Sequence, residues 1–100
     1  MTWLANRRIR RQRRLFVPLP DGESMRADRY FPRDVEEAPL VVLTGVVPAE
    51  HDALARDIAA RGYQVLVHVA PADAGERQAV RVWLADQPWF PGTVTALAEI

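Results

Sequence analysis

One hundred residues, 49% apolar and 26% charged, allow one small core and exclude both a multidomain chain and wholesale disorder. The absence of cysteine removes disulfides, thiolate nucleophiles and thiolate metal sites together, and no apolar run approaches the roughly 20 residues that a membrane helix needs. Thirteen arginines balance thirteen acids, yet six of the arginines and none of the acids fall in the first twenty residues, so a basic start precedes an acidic body. Met1 is not followed by the apolar stretch of a secretory signal, and a soluble, cytoplasmic protein is expected.

The run Arg7-Arg8-Ile9-Arg10-Arg11-Gln12-Arg13-Arg14 packs six guanidinium groups into eight positions, and their repulsion opposes regular structure. Residues 1–14 are therefore expected to be a mobile arm, and residues 15–100 the folded part. Leu15-Phe16-Val17-Pro18-Leu19 reads as a short strand, placed at a sheet edge by Pro18. Pro20-Asp21-Gly22-Glu23 carries turn chemistry. Residues 25–31 return with a period of two, Met25, Ala27 and Arg29 against Arg26, Asp28 and Tyr30. A polar connection leads to Leu40-Val41-Val42-Leu43, an apolar run of the kind seen in strands covered on both faces.

Helical spacing of Leu54, Ala55, Ile58 and Ala59 predicts a helix over residues 48–61, stopped by Gly62 at the left-handed C′ position. Residues 64–69 form the next strand. Asp73 and Glu76 have capping-box spacing, so a second helix follows, with Val80, Trp83 and Leu84 as its apolar stripe. Pro88 ends it, and Pro91-Gly92 turns the chain into a last strand near residues 93–97. The expected class is α/β: an antiparallel hairpin, then a β-α-β-α-β parallel sheet with right-handed crossovers. Any ligand crevice lies at the carboxyl ends of the parallel strands, which singles out Thr44, Gly45, Val47 and Asp73.

Three motifs carry a resemblance. The hairpin around Pro20-Asp21-Gly22, the phrase Ala60-Arg61-Gly62-Tyr63 before a valine-rich strand, and Trp83-Leu84-Ala85-Asp86-Gln87-Pro88-Trp89 before Gly92 resemble, in order and spacing, the N-terminal part of the cocaine esterase and X-prolyl dipeptidyl peptidase family of α/β-hydrolases. The likeness spans residues 15–97 and implies a serine-hydrolase ancestry, acting on ester or prolyl-peptide bonds. It also implies three features that the sequence does not carry. The loop expected to hold an oxyanion tyrosine reads Thr44-Gly45-Val46-Val47-Pro48. The loop expected to be rich in arginine and glycine reads Ala70-Pro71-Ala72-Asp73-Ala74-Gly75. No glycine-x-serine-x-glycine elbow follows the strand at Thr93 within the hundred residues.

The inventory for acyl transfer is correspondingly thin. Ser24, the single serine, belongs to the hairpin, and His51 and His68 are two ligands where zinc takes three or four, so neither a metal nor a cofactor is expected. Trp83, Trp89 and Phe90 are read as core. Three readings stay open. The first is a diverged or truncated serine-hydrolase-like domain, catalytically incomplete by itself. The second is a non-enzymatic interaction module, self-associating or binding a protein through its open sheet edge. The third is an anion binder that meets nucleic acid or a membrane surface through Arg7, Arg8, Arg10, Arg11, Arg13 and Arg14.

Overall fold

The structure, a computed structural model, describes residues 9–33, 38–45, 51–69 and 71–99. Five strands and two helices follow in the order β1 (Ile9–Pro18), β2 (Ser24–Pro32), β3 (Leu40–Thr44), α1 (Asp52–Ala60), β4 (Gln64–His68), α2 (Ala74–Ala85) and β5 (Val94–Glu99). The strands form one mixed sheet in the order β1-β2-β4-β3-β5. β1 and β2 are antiparallel, β2 joins β4 antiparallel, and β4, β3 and β5 run parallel. The hairpin is thus part of the main sheet.

Strand order fixes where the helices lie. The crossover from β3 through α1 moves one way across the sheet to β4, and the crossover through α2 moves back past β3 to β5. Two right-handed crossovers in opposite directions place their helices on opposite faces. The core divides accordingly. Ala55 and Ala59 of α1 pack with Tyr30, Leu43, Val65 and Val67, while Val80 and Leu84 of α2 pack with Val17, Met25, Ala27, Leu40, Val42 and Leu66. Alanines on the inward stripe of α1 let the helix lie close to the sheet, and Leu54, expected on that stripe, is turned outward.

The turns obey their sequence signals. Gly22 has φ 88°, Leu19 and Glu23 close the hairpin with a 2.8 Å backbone hydrogen bond, and the Asp21 carboxylate accepts from the Glu23 amide. Gly62, φ 100°, ends α1. Asp73 caps α2 by accepting from the Glu76 amide at 2.9 Å, and the Glu76 carboxylate accepts from the Ala72 amide, one residue ahead of the position a capping box would use.

One expectation is corrected. Residues 10–14, assigned to a mobile arm, are strand: β1 starts at Ile9 and pairs with β2 as far as Pro32. The charges that opposed order in isolation meet a carboxylate across the hairpin, since Arg11 donates to buried Asp28 at 2.7 Å. Arg7 and Arg8 lie outside the described residues, as does Val47. The strand is not regular throughout. Register shifts between Gln12 and Leu15, where Arg13 and Arg14 together stand opposite Asp28 as a bulge, with Arg14 at φ 58°.

At the amino end of the parallel strands, Gln64 ties the sheet to the turn after α2. Its Nε2 donates to the carbonyls of Ala38 and Trp89 at 2.8 and 2.9 Å, and its Oε1 accepts from Arg29. The Arg29 guanidinium lies over the rings of Phe31 and Trp89, and burial lowers its pKa to about 10. Trp83 meets Trp89 edge to face at 5.9 Å. These contacts give the Gln87-Pro88-Trp89 turn a structural role, as expected.

Candidate functional site

β3 and β4 are parallel and in register, so Thr44 and His68 are aligned at the carboxyl edge of the sheet. Alternation of side chains puts both on the face covered by α2. Gly45, φ 88°, then turns the chain off β3 in a conformation that a Cβ would strain. Thr44, Gly45 and His68 are therefore brought together, and of these His68 was not singled out by the sequence. A lone histidine in a valine-rich strand carries no signal of its own. Only the parallel register with Thr44 gives it a place.

Both side chains are buried. The Nδ1 of His68 lies 2.7 Å from the Val69 carbonyl oxygen, which can only accept, so Nδ1 carries the proton and Nε2 is left as an acceptor. Burial pushes the pKa of His68 down, so the ring is neutral at pH 7. A catalytic base of the hydrolytic kind has its Nδ1 held by a carboxylate that stabilises the imidazolium. Here a carbonyl takes that position, and the ring is suited to accepting a hydrogen bond more than to gaining a full proton.

Asp73 is not part of this group. Its carboxylate is engaged as the α2 cap, and the adjoining Gly75 lies against Pro20 of the hairpin turn. That turn is two to three strand spacings from β3, about 10 to 14 Å. Between it and α2 runs an open groove of about 400 Å³ lined by Pro18, Leu19, Pro20, Val82, Trp83 and Asp86. Ser24, exposed at the start of β2, pairs with Pro18. Among the described residues, no group of three or more His, Asp or Glu side chains is placed to hold a metal.

The hairpin face under α1 holds a second polar cluster. Asp28 is fully buried and takes Arg11 at 2.7 Å, Arg26 at 3.3 Å and the Arg14 amide at 3.4 Å. Tyr30 donates to Asp52 at 2.7 Å, and Asp52 also meets Arg56 at 2.9 Å and Arg11 at 3.3 Å. Burial opposes ionisation of Asp28, but the Arg11 hydrogen bond, Arg26 and the Arg14 amide outweigh it and hold the carboxyl below its ordinary value. Burial and the bond to Asp52 push the Tyr30 phenol up to about 12. Of the anion-binding candidates, Arg11 is thus engaged internally, while Arg10, Arg13 and Arg14 are exposed.

No family model and no curated protein sequence matches the chain. Solved structures do. The chain superposes on a hyperthermophilic esterase from the archaeon Pyrobaculum calidifontis with a TM-score of 0.69 at 24% identity, over 97% of this chain and 37% of that one. A monoclinic form of the Pyrobaculum calidifontis esterase gives 0.64 at 25% identity, over 98% and 37%. An aminopeptidase from a marine sediment Thaumarchaeota archaeon gives 0.66 at 15% identity, over 90% and 21%. The chain thus spans little more than a third of the length of the esterase. Its mixed five-stranded sheet and two helices match the start of an α/β-hydrolase fold.

Proposed function

We propose that these hundred residues are a serine-hydrolase-like domain of the esterase and X-prolyl peptidase type, diverged at its strand-end loops and catalytically incomplete by itself. The observation that carries this reading is the carboxyl edge of the sheet. The position used by hydrolytic sites in such sheets holds Thr44, Gly45 and a neutral His68 braced by a carbonyl. The chain's one serine is at the start of β2, two strands from β3, and no cysteine is available as a substitute. The family motifs at Pro20, Arg61 and Trp83 support the kinship, and the esterase likeness supports ester substrates for the ancestral activity.

The purified chain is expected to leave p-nitrophenyl acetate at the buffer rate. Turnover above buffer that is abolished by Ser24→Ala or His68→Gln overturns the reading.

A second reading rests on β5. This strand is the outer edge of the parallel sheet, its residues 94–98 are exposed, and Val94 and Leu97 stand 41% and 66% open. Parallel strands are ordinarily covered on both faces, and past a register shift at Thr95 this edge runs on in regular pairing without lysine or proline, which makes it a pairing template. We infer association through this edge, with a second copy or with another protein. A sequence free of cysteine favours the reducing cytoplasm as its setting. No helix among the described residues is long and apolar enough to cross a membrane.

A further inference from the structure

Between Ile9 and Arg33 the hairpin carries seven arginines and three acids, and one of those acids, Asp28, is sealed from solvent. The fold decides where the excess charge goes. The β1 bulge sets Arg13 and Arg14 side by side on the outermost strand, both exposed. Arg14 is held at φ 58°, with its amide 3.4 Å from Asp28 Oδ1. Glycine or asparagine would adopt that conformation with less strain, so the arginine there sits against its backbone preference. Bulges of this kind re-aim side chains.

Two rungs further along, Phe16 stands opposite Arg26 on the hairpin face that α1 covers only beyond Arg11 and Tyr30. Phe16 is 56% exposed and belongs to neither core cluster. Arg26 is half exposed, with its Nε fixed 3.3 Å from Asp28 Oδ1. An exposed ring set among positioned guanidinium groups supplies the two elements by which unpaired strands are held: cations for phosphates and a flat face for a base. A duplex keeps its bases stacked inside, and a lipid surface asks for a wider apolar face than one ring.

We propose that this outer hairpin surface, formed by Arg13, Arg14, Phe16 and Arg26, binds single-stranded nucleic acid. The guanidinium groups hold successive phosphates and Phe16 stacks on a base. The surface lies at the β1 edge, away from the Thr44 and His68 group, and is independent of the hydrolase-like reading.

The test is fluorescence anisotropy of a short labelled single-stranded oligonucleotide of mixed sequence, titrated with the full chain over a range of sodium chloride. Affinity is expected to fall with salt. Arg13→Gln with Arg14→Gln is expected to flatten the log–log salt slope by about 1.4, at about 0.7 for each phosphate left without its cation. Phe16→Ala is expected to weaken binding about 5- to 150-fold and leave the slope unchanged, because it removes stacking and no charge. Phe16 is outside the core, so that variant should keep the parent's thermal melt. If the double arginine variant does not fold, Arg13→Gln alone carries the charge arm, with a slope change of about 0.7. Unaltered affinity in Phe16→Ala, heparin bound as tightly as the oligonucleotide, or binding only to phosphatidylserine vesicles each overturns the proposal.

Discussion

Asp28 joins the two strands of the hairpin through a fully buried carboxylate, and its removal exposes what such a group contributes. Asp28→Asn keeps the shape but takes from the largely buried Arg11 guanidinium its 2.7 Å carboxylate partner, leaving only Asp52 at 3.3 Å. Breaking one partner of a buried pair costs about 3 to 5 kcal/mol, a large part of the stability of a chain this small. Chemical denaturation should show the loss directly. Acid adds a second signature. The folded pKa of Asp28 is held below its unfolded value, so its contribution is complete above pH ~4 and is lost as pH falls through the folded value. His68 is also depressed, and for this base the neutral form is the one the fold prefers. Its contribution is complete above pH ~6.5 and declines as pH falls below that. Stability measured against pH should therefore decline in two windows. His68→Gln is expected to remove the upper one, and Asp28→Asn to shrink the lower, which Asp52 shares because Tyr30 and Arg56 hold its carboxyl low as well.

At the scale of single elements, α2 was the most legible. Asp73 and Glu76 announced its start, Pro88 its end, and Val80, Trp83 and Leu84 its inward face, because capping and helical periodicity are local properties of the chain. Asp73→Ala is expected to cost about 1 kcal/mol in a denaturant titration, the usual loss of an N-cap. β1 was the least legible. Six arginines in eight positions repel one another in an isolated segment, and nothing nearby in sequence answers them. The answering carboxylate is seventeen residues away, on the opposite strand. The Arg13 and Arg14 bulge was equally hidden, since it exists only relative to the register of β2.

For the whole molecule, the sheet has two unlike edges. β1 is lined with arginines and carries a bulge, both of which discourage strand addition. β5 carries no arginine, and past the register shift at Thr95 it pairs regularly with β3, so its exposed Val94 and Leu97 make it the edge expected to recruit a partner strand. Light scattering of the purified chain should report a mass above that of the 11.3 kDa monomer, and Leu97→Glu should return it toward the monomer. A monomeric parent chain at high concentration sinks the self-association reading.

Periodicity, glycine and proline placement, and capping-box spacing determined the elements of this protein and their order, because each is settled within a few residues. They also determined the limits of its chemistry, since the single serine and absent cysteine are facts of composition. Tertiary structure alone decided the pairings. It joined the hairpin to β4 and set the helices on opposite faces. It brought His68 beside Thr44 and Arg11 onto Asp28, and it kept Asp73 with the hairpin turn. Register and crossover direction are relations between distant segments, fixed by how side chains of both strands are buried together, and no local pattern encodes them.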